Sequence, residues 1–521
     1  MTGFESLLGV LLVAVVLAAL ARRMGAPYPA FLALGGAVLA FVPGAPKFTI
    51  DPAVALALFV APVLLDAAYD SSPRDLKDYW VPVTSLAVVS VALTTVAVAV
   101  VARTLVPAMP WAAAVALGAI VSPPDAAAAI AVLRQLRPPH RILTILSGES
   151  LLNDASALLI YRLAVGAVAM QAFSVGSLAP TLLLVVVGSI VAGLVLGKVI
   201  LKLTGAVEDV PTAIIIQFIT AFGVWIVADR LGLSSVLTMV CFAVTVARRA
   251  PQRTPARVRL PSYAVWDTAV FLLNVLAFVF IGLQIRPIFS SLDPDVRTQY
   301  LHFAGLVLLT VIAARVFWVL LHTSVVLWKN RIFGHRPKRP GQQPPTFRGG
   351  LVISWSGMRG IITLAAALAL PDDPGAPFPY RDLIILTAFA VVFGTLVVQG
   401  LTLKPLIRAL RLEDDDPVGR EVEAARGRAL DAALSAVGKD RSPAAEAVRL
   451  ELSAHLGGHG GGSDEEPGEA GPSHEDVHRR ALSAARRTVF EMRDRDEIGD
   501  DAFHRIEEEL DLVEVGISSR G

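Results

Sequence analysis

Residues 122–162 read SPPDAAAAIAVLRQLRPPHRILTILSGESLLNDASALLIYR, and two features of this stretch decide the fold. In its second half, Glu149 and Asn153 stand four residues apart, as do Ser150 and Asp154, within an otherwise apolar run. At about 100° per residue each pair shares one stripe of a helix, and the two stripes adjoin. In its first half, Pro123 and Pro124 interrupt an Ala- and Val-rich run immediately before Asp125, which removes two backbone donors and frees carbonyl oxygens. Open backbone and carboxylates are costly in hydrocarbon and persist there only where they line a cavity or pack on protein. The stretch therefore predicts a membrane helix bearing a polar ladder beside a broken helix bearing an acid.

The remainder of the chain agrees with a bilayer as solvent. Of 521 residues 54% are apolar, and the charge is unevenly spread. Residues 1–410 hold 18 acids and 31 bases, whereas 411–521 hold 27 acids and 15 bases. No single soluble domain shows such a break, so a soluble enzyme is excluded and a membrane domain with an acidic appendage is expected. Cys241 is the single cysteine and lies in an apolar run, which excludes an intrachain disulfide and a cysteine-built metal site.

Apolar runs of roughly 20 residues, enough for a bilayer core, are read at about 4–21, 29–42, 50–68, 83–105, 110–132, 140–169, 178–203, 209–230, 232–248, 263–287, 299–328, 347–371 and 381–409. The fold class is thus an all-α polytopic membrane protein with about 13 transmembrane helices. The first run carries Glu5 in front and Arg22 and Arg23 behind, the reverse of a signal peptide, so it is expected to stay as a membrane helix. Twenty Lys and Arg lie at the connections after odd-numbered spans and six after even-numbered ones. This bias places the amino terminus outside and the tail in the cytoplasm. Within the tail, Arg420 to Val437 and Asp476 to Leu510 have helical spacing, and the Gly-rich acidic stretch 457–473 reads as a flexible linker. The tail is either a regulatory appendage or a solvated segment that aids folding.

Span 12 contains Ser354-Trp355-Ser356-Gly357-Met358-Arg359-Gly360, a second polar interruption near mid-membrane. Two interrupted spans in corresponding positions are the pattern of inverted repeats in secondary transporters. Carbonyl and carboxylate oxygens are the ligands hard cations prefer. Asp154 and Asp125 are accordingly the leading ion-binding candidates, although Asp154 could pair with an Arg and Asp125 could cap the helix that restarts after Pro124. Glu149 and Arg359 read as a structural ion pair. Arg315 is expected to meet an acid or backbone carbonyls, and Arg162 to reach toward the far end of its span. Asp66 is an accessory candidate, while Asp267 and Asn274, seven apart on one face, serve either the site or helix packing.

These residues resemble the electroneutral sodium/proton exchanger branch of the cation/proton antiporter superfamily, over nearly all of residues 1–410. The run 122–162 is the most specific element. Supporting matches are P-x-L-L-D-A-x-Y around Asp66, W-D-x-x-x-F-L-L-N around Asp267 and Asn274, and G-M-R-G-I-I-T-L-A-A-A-L-A-L-P around Arg359. The resemblance implies that Asp154 carries Na+ and H+ alternately, that Ser150 is a ligand, that Asn153 orients the site, and that Glu149 and Arg359 form a stabilising pair. It also implies a transport bundle from spans 4–6 and 11–13 moving against an interface bundle from spans 1–3 and 8–10 that forms a homodimer in the plasma (inner) membrane. Many members read T-D-P where this chain has Pro124-Asp125-Ala126, so Ser122 or a main-chain carbonyl is left to fill the place of the Thr.

Mutual exclusion of a cation and a proton at one buried carboxylate yields exchange without other machinery. No cofactor and no nucleic acid partner is called for. The expected function is electroneutral Na+/H+ antiport, with Li+ or K+ as alternative cations. A cation channel or a membrane sensor is the rival class, and the paired interruptions enclosing an acid favour a carrier that occludes its ion.

Overall fold

The computed structural model describes residues 2–24, 27–42, 51–69, 71–136, 138–170, 175–204, 207, 209–290, 294–334, 344–372, 377–412, 416–438, 440–456 and 474–518. The expected linker 457–473 lies outside them. All regular structure among the described residues is helical. The chain opens with α1 (Thr2–Met24), α2 (Tyr28–Leu39), α3 (Pro52–Tyr69), the short α4 (Pro73–Asp78) and α5 (Trp80–Thr84). A π-helical stretch, Ser85–Ser90, joins α5 to α6 (Val91–Leu105). Then come α7 (Trp111–Val121), α8 (Ala126–Leu133), α9 (His140–Met170), α10 (Val175–Thr204), α11 (Val210–Arg230) and α12 (Ser235–Arg253). The membrane part ends with α13 (Ala256–Leu283), α14 (Ile285–Ser290), α15 (Pro294–Phe333), α16 (Phe347–Trp355), α17 (Ile361–Leu368) and α18 (Arg381–Leu410).

Helices lie over all thirteen expected runs, and two of those runs are interrupted. Among the described residues, nine helical stretches are long and apolar enough to cross a membrane, and α2 is a shorter apolar helix. Many of them turn large apolar side chains outward, such as Leu184 and Val191 on α10, Ile219 on α11 and Leu309 on α15, and α1 does the same with Leu12. Outward apolar surface on this scale is stable only in lipid. Polar termini are capped: Asp209 accepts from Thr212 at the start of α11, Ser234 from Leu237 at α12, and Thr346 from Gly349 at α16. Close packing relies on small residues. Gly36 of α2 faces Gly282 of α13, and a Cβ on either would strike the other helix's backbone.

The run 110–132 is two helices, because the prolines leave Ser122–Asp125 non-helical between α7 and α8. The run 347–371 is likewise broken between α16 and α17 at residues 356–360. The two breaks meet: the Asp125 amide donates to the Met358 carbonyl at 2.7 Å.

The tail forms α19 (Pro417–Val437), α20 (Pro443–Leu456), α21 (His474–Asp494) and α22 (Asp500–Ser518). Ala425, Ala429, Ala433 and Val437 repeat every fourth residue on α19 and bury against Val477, Ala481, Ala485 and Val489 of α21 and Phe503, Ile506 and Leu510 of α22. The helical spacing from Asp476 to Leu510 is in fact a hairpin, turned at Asp496 with φ 58° and at Gly499. A Cβ on Gly499 would lie 2.5 Å from the Arg74 guanidinium, so the turn sits against that side chain of the membrane part. There, Arg74 holds both oxygens of Glu421 at 2.9 Å, and Arg259 at the start of α13 meets Asp511 at 2.5 and 2.7 Å and Glu507 at 2.9 Å. His140 at the start of α9 sits between Asp75 at 3.2 Å and Asp501 at 3.7 Å, and His504 stacks on Tyr69.

Candidate functional site

The crossing of the two broken pairs collects the polar ladder of α9. Asp125 caps α8, accepting from the Ala127 amide at 2.9 Å, as the capping alternative expects. Its other oxygen lies where a Cβ on Gly360 would be, so only glycine lets α17 begin against this carboxylate. Asn153 donates from Nδ2 to the Pro124 carbonyl at 2.7 Å, an acceptor the missing helical turn leaves open. Its Oδ1 is buried with no hydrogen-bond partner among the described residues. Ser122 is buried and donates to the Ala119 carbonyl at 3.1 Å, so its hydroxyl proton is committed to its own helix while its oxygen can still accept or ligate.

Asp154, one residue on, is 5% exposed and has no hydrogen-bond or ion-pair partner among the described residues. Its charged neighbours are themselves acids, Asp125 and Glu149. Ser150 is half-buried one turn earlier on the same stripe.

The expected pairing of Glu149 with Arg359 is corrected by the geometry. Glu149 is held in a fork by Arg315 of α15, at 2.5 and 2.9 Å, and both residues are 1% exposed. Arg315 also donates to the Ile353 carbonyl at 3.2 Å. Arg359 instead donates to backbone carbonyls: Val121 at 3.1 Å, Ser122 at 3.2 Å and Gly357. The physical reason is the proline break, which strands the last carbonyls of α7 in a dry interior, where they need a donor. A guanidinium with five N–H groups meets several at once. The Arg359 amide in turn donates to the Thr395 hydroxyl of α18 at 3.0 Å.

The other candidates fall elsewhere. Asp66 is half-buried on α3. Asp267 is exposed and Asn274 half-buried on α13. Arg162 lies near the far end of α9, bonding Asp229 at 3.1 Å and the Leu233 carbonyl at 3.0 Å. Two residues of the crossing went unread in the sequence: Thr395, and Gln399 one turn later, which is fully buried. Their only signal was two polar side chains four apart in a 30-residue apolar helix.

A model of the sodium/hydrogen exchanger transmembrane domain matches residues 10–409, which takes in every element of the crossing. The chain belongs to the sodium/hydrogen exchanger family. It is 34% identical over 417 residues to an uncharacterised Na+/H+ exchanger of Mycobacterium bovis, covering 78% of this chain and 75% of the relative. It is 30% identical over 389 residues to a sodium, potassium, lithium and rubidium/H+ antiporter of Bacillus subtilis, covering 72% of this chain and 57% of that one. The sodium proton antiporter MjNhaP1 of Methanocaldococcus jannaschii has the same fold, with a TM-score of 0.60 at 18% identity over 79% of this chain and 99% of that one. This exchanger is therefore a multi-pass membrane protein of a monovalent cation/proton antiporter family.

Proposed function

We propose that this exchanger carries Na+ and H+ alternately on Asp154, one for one. The observation that carries the reading is a nearly buried carboxylate left without a partner, five residues along α9 from a glutamate fully engaged by an arginine. A buried charge that only holds helices together is paired, as Glu149 is. Asp154 and the spare Oδ1 of the adjoining residue Asn153 are instead oxygens of the kind that suit a small hard cation. Asp125 keeps α8 and α17 aimed at this place, and two helix N-termini there balance its charge. Ser150 supplies a further oxygen.

Because a proton and a cation exclude each other at one carboxylate, the loaded site has the same net charge in both directions, and exchange is electroneutral. Spans 4–6 and 11–13 form the moving bundle, and spans 1–3 and 8–10 form the interface of a homodimer. The tail lies in the cytoplasm and rests on both bundles, at α13 and α9. The likeness to the sodium, potassium, lithium and rubidium/H+ antiporter of Bacillus subtilis supports K+ as a second cation.

The test is proton flux in reconstituted vesicles given Na+, Li+ and K+ in turn. Flux should follow the cation gradient, peak at an intermediate pH because the two substrates compete, and ignore an imposed membrane potential. A sustained current on a solid-supported membrane would overturn the one-for-one mechanism.

A further inference from the structure

Gln399 has no role in the mechanism above, yet it is the most anomalous side chain of the crossing. It is fully buried, and neither its amide nitrogen nor its amide oxygen has a hydrogen-bond partner among the described residues. A buried amide with both ends unmet is disfavoured, and α18 is otherwise well satisfied: Thr387 and Thr395 both bond back to carbonyls of their own helix.

The direction of Gln399 follows from its neighbours. Going round α18 at about 100° per residue, Thr395 and Thr402 lie about 40° and 60° to one side of Gln399, and Gly400 about 100° to the other. Thr395 accepts from the Arg359 amide at 3.0 Å, and Thr402 accepts from the Trp355 indole at 2.8 Å. A Cβ on Gly400 would sit 3.3 Å from the Met358 sulfur. The amide is thus bracketed by residues that touch Trp355, Met358 and Arg359, and it faces the break between α16 and α17.

In this arrangement three of the break's polar groups are engaged elsewhere. Met358 O accepts from Asp125, Gly357 O from Arg359, and the Arg359 amide donates to Thr395. Carrying an ion across requires the broken pairs to change arrangement, and those bonds change with it. We infer that Gln399 is a positioning residue for exchange: its amide hydrogen-bonds the 356–360 break in the second arrangement of the cycle and stands idle in this one.

This inference rests on the antiport reading, and its test is built to fail separately. Gln399→Met keeps an unbranched side chain of similar length without the amide, and Gln399→Asn keeps an amide. An apolar replacement of an unpartnered polar group should leave the thermal unfolding midpoint in detergent unchanged or raised. In vesicles, loss of one hydrogen bond made only in the second arrangement should lower the maximal Na+-driven proton flux by about tenfold. The half-saturating Na+ concentration should stay within about twofold, since ground-state binding is untouched. Gln399→Asn should recover most of the flux.

A Gln399→Met variant as fast as the parent would overturn the inference. So would one that unfolds earlier or fails to accumulate in the membrane, because that marks a structural side chain, or an asparagine variant as slow as the methionine one. Parent vesicles that do not exchange at all would count against the antiport reading instead.

Discussion

The helix crossing and the tail seam handle charge in opposite ways. At the seam, every carboxylate discussed has a guanidinium or imidazole against it: Glu421 with Arg74, Asp511 and Glu507 with Arg259, Asp75 with His140. In the crossing, Glu149 alone is paired, Arg359 spends its donors on carbonyls, and Asp154 faces no donor among the described residues. Paired charges hold surfaces together. An acid left over in a dry place is available for a mobile ion.

The largest effect should come from the leftover acid. Asp154→Asn keeps the shape and removes the shared charge, so cation-driven proton flux should fall to the background of empty vesicles while the unfolding midpoint holds. Flux near the parent's would erase the contrast between the two regions.

Next are the paired charges of the crossing. Leaving one member of a buried pair alone costs about 3–5 kcal/mol, so Glu149→Gln and Arg315→Met should each lower thermal stability sharply. Combining them should recover most of the loss. Arg359→Met should be destabilising whichever residue stands at 149, because its partners are carbonyls. Recovery of Arg359→Met by Glu149→Gln would restore the pairing that the geometry rejects.

At the seam the expected effect is smaller. Glu421 is 25% exposed, and partly solvated pairs contribute about 1 kcal/mol or less. Glu421→Gln should speed hydrogen exchange in residues 71–78 and in α22 without altering the membrane helices.

The smallest effect is in pH. Burial alone would push the Asp75 carboxyl up, but the hydrogen bond from His140 and the Arg74 guanidinium outweigh it and hold it below the usual carboxylate range. A carboxyl depressed on docking contributes stability above its ordinary pKa and loses it only as pH falls through the lowered value. Protection of 71–78 should therefore persist into mildly acid solution and fade below the ordinary aspartate range, and Asp75→Asn should flatten that dependence. Fading that begins near neutral pH would overturn this account of Asp75.

The sequence made much of the crossing legible. Four-residue spacing set Asn153 and Asp154 on a helix, and Pro123, Pro124 and the 356–360 interruption announced the two breaks. It could not choose between two arginines. Helical periodicity says which residues share a face of α9, but the partner of Glu149 depends on where α15 and α16 pass it. The stranded carbonyls of Val121 and Ser122 were implied by the prolines, and they are what claim Arg359. Thr395 and Gln399 gave little signal, because one hydroxyl and one amide scarcely alter an apolar run. The tail's helices showed in their periodicity, but Arg259 and Asp511 are 252 residues apart, and their meeting is a matter of surface fit.

The contact between Gly36 and Gly282 sets a mechanical condition on all of this. Where a Cβ on either helix would run into the main chain of the other, no side chain lies between to act as a cushion. Two rods joined in this way bend or tilt together, because sliding one along the other would lift its main chain out of the notch. Stiffness of this kind comes from missing atoms: a single methyl group at either glycine would act as a wedge and put play into the joint.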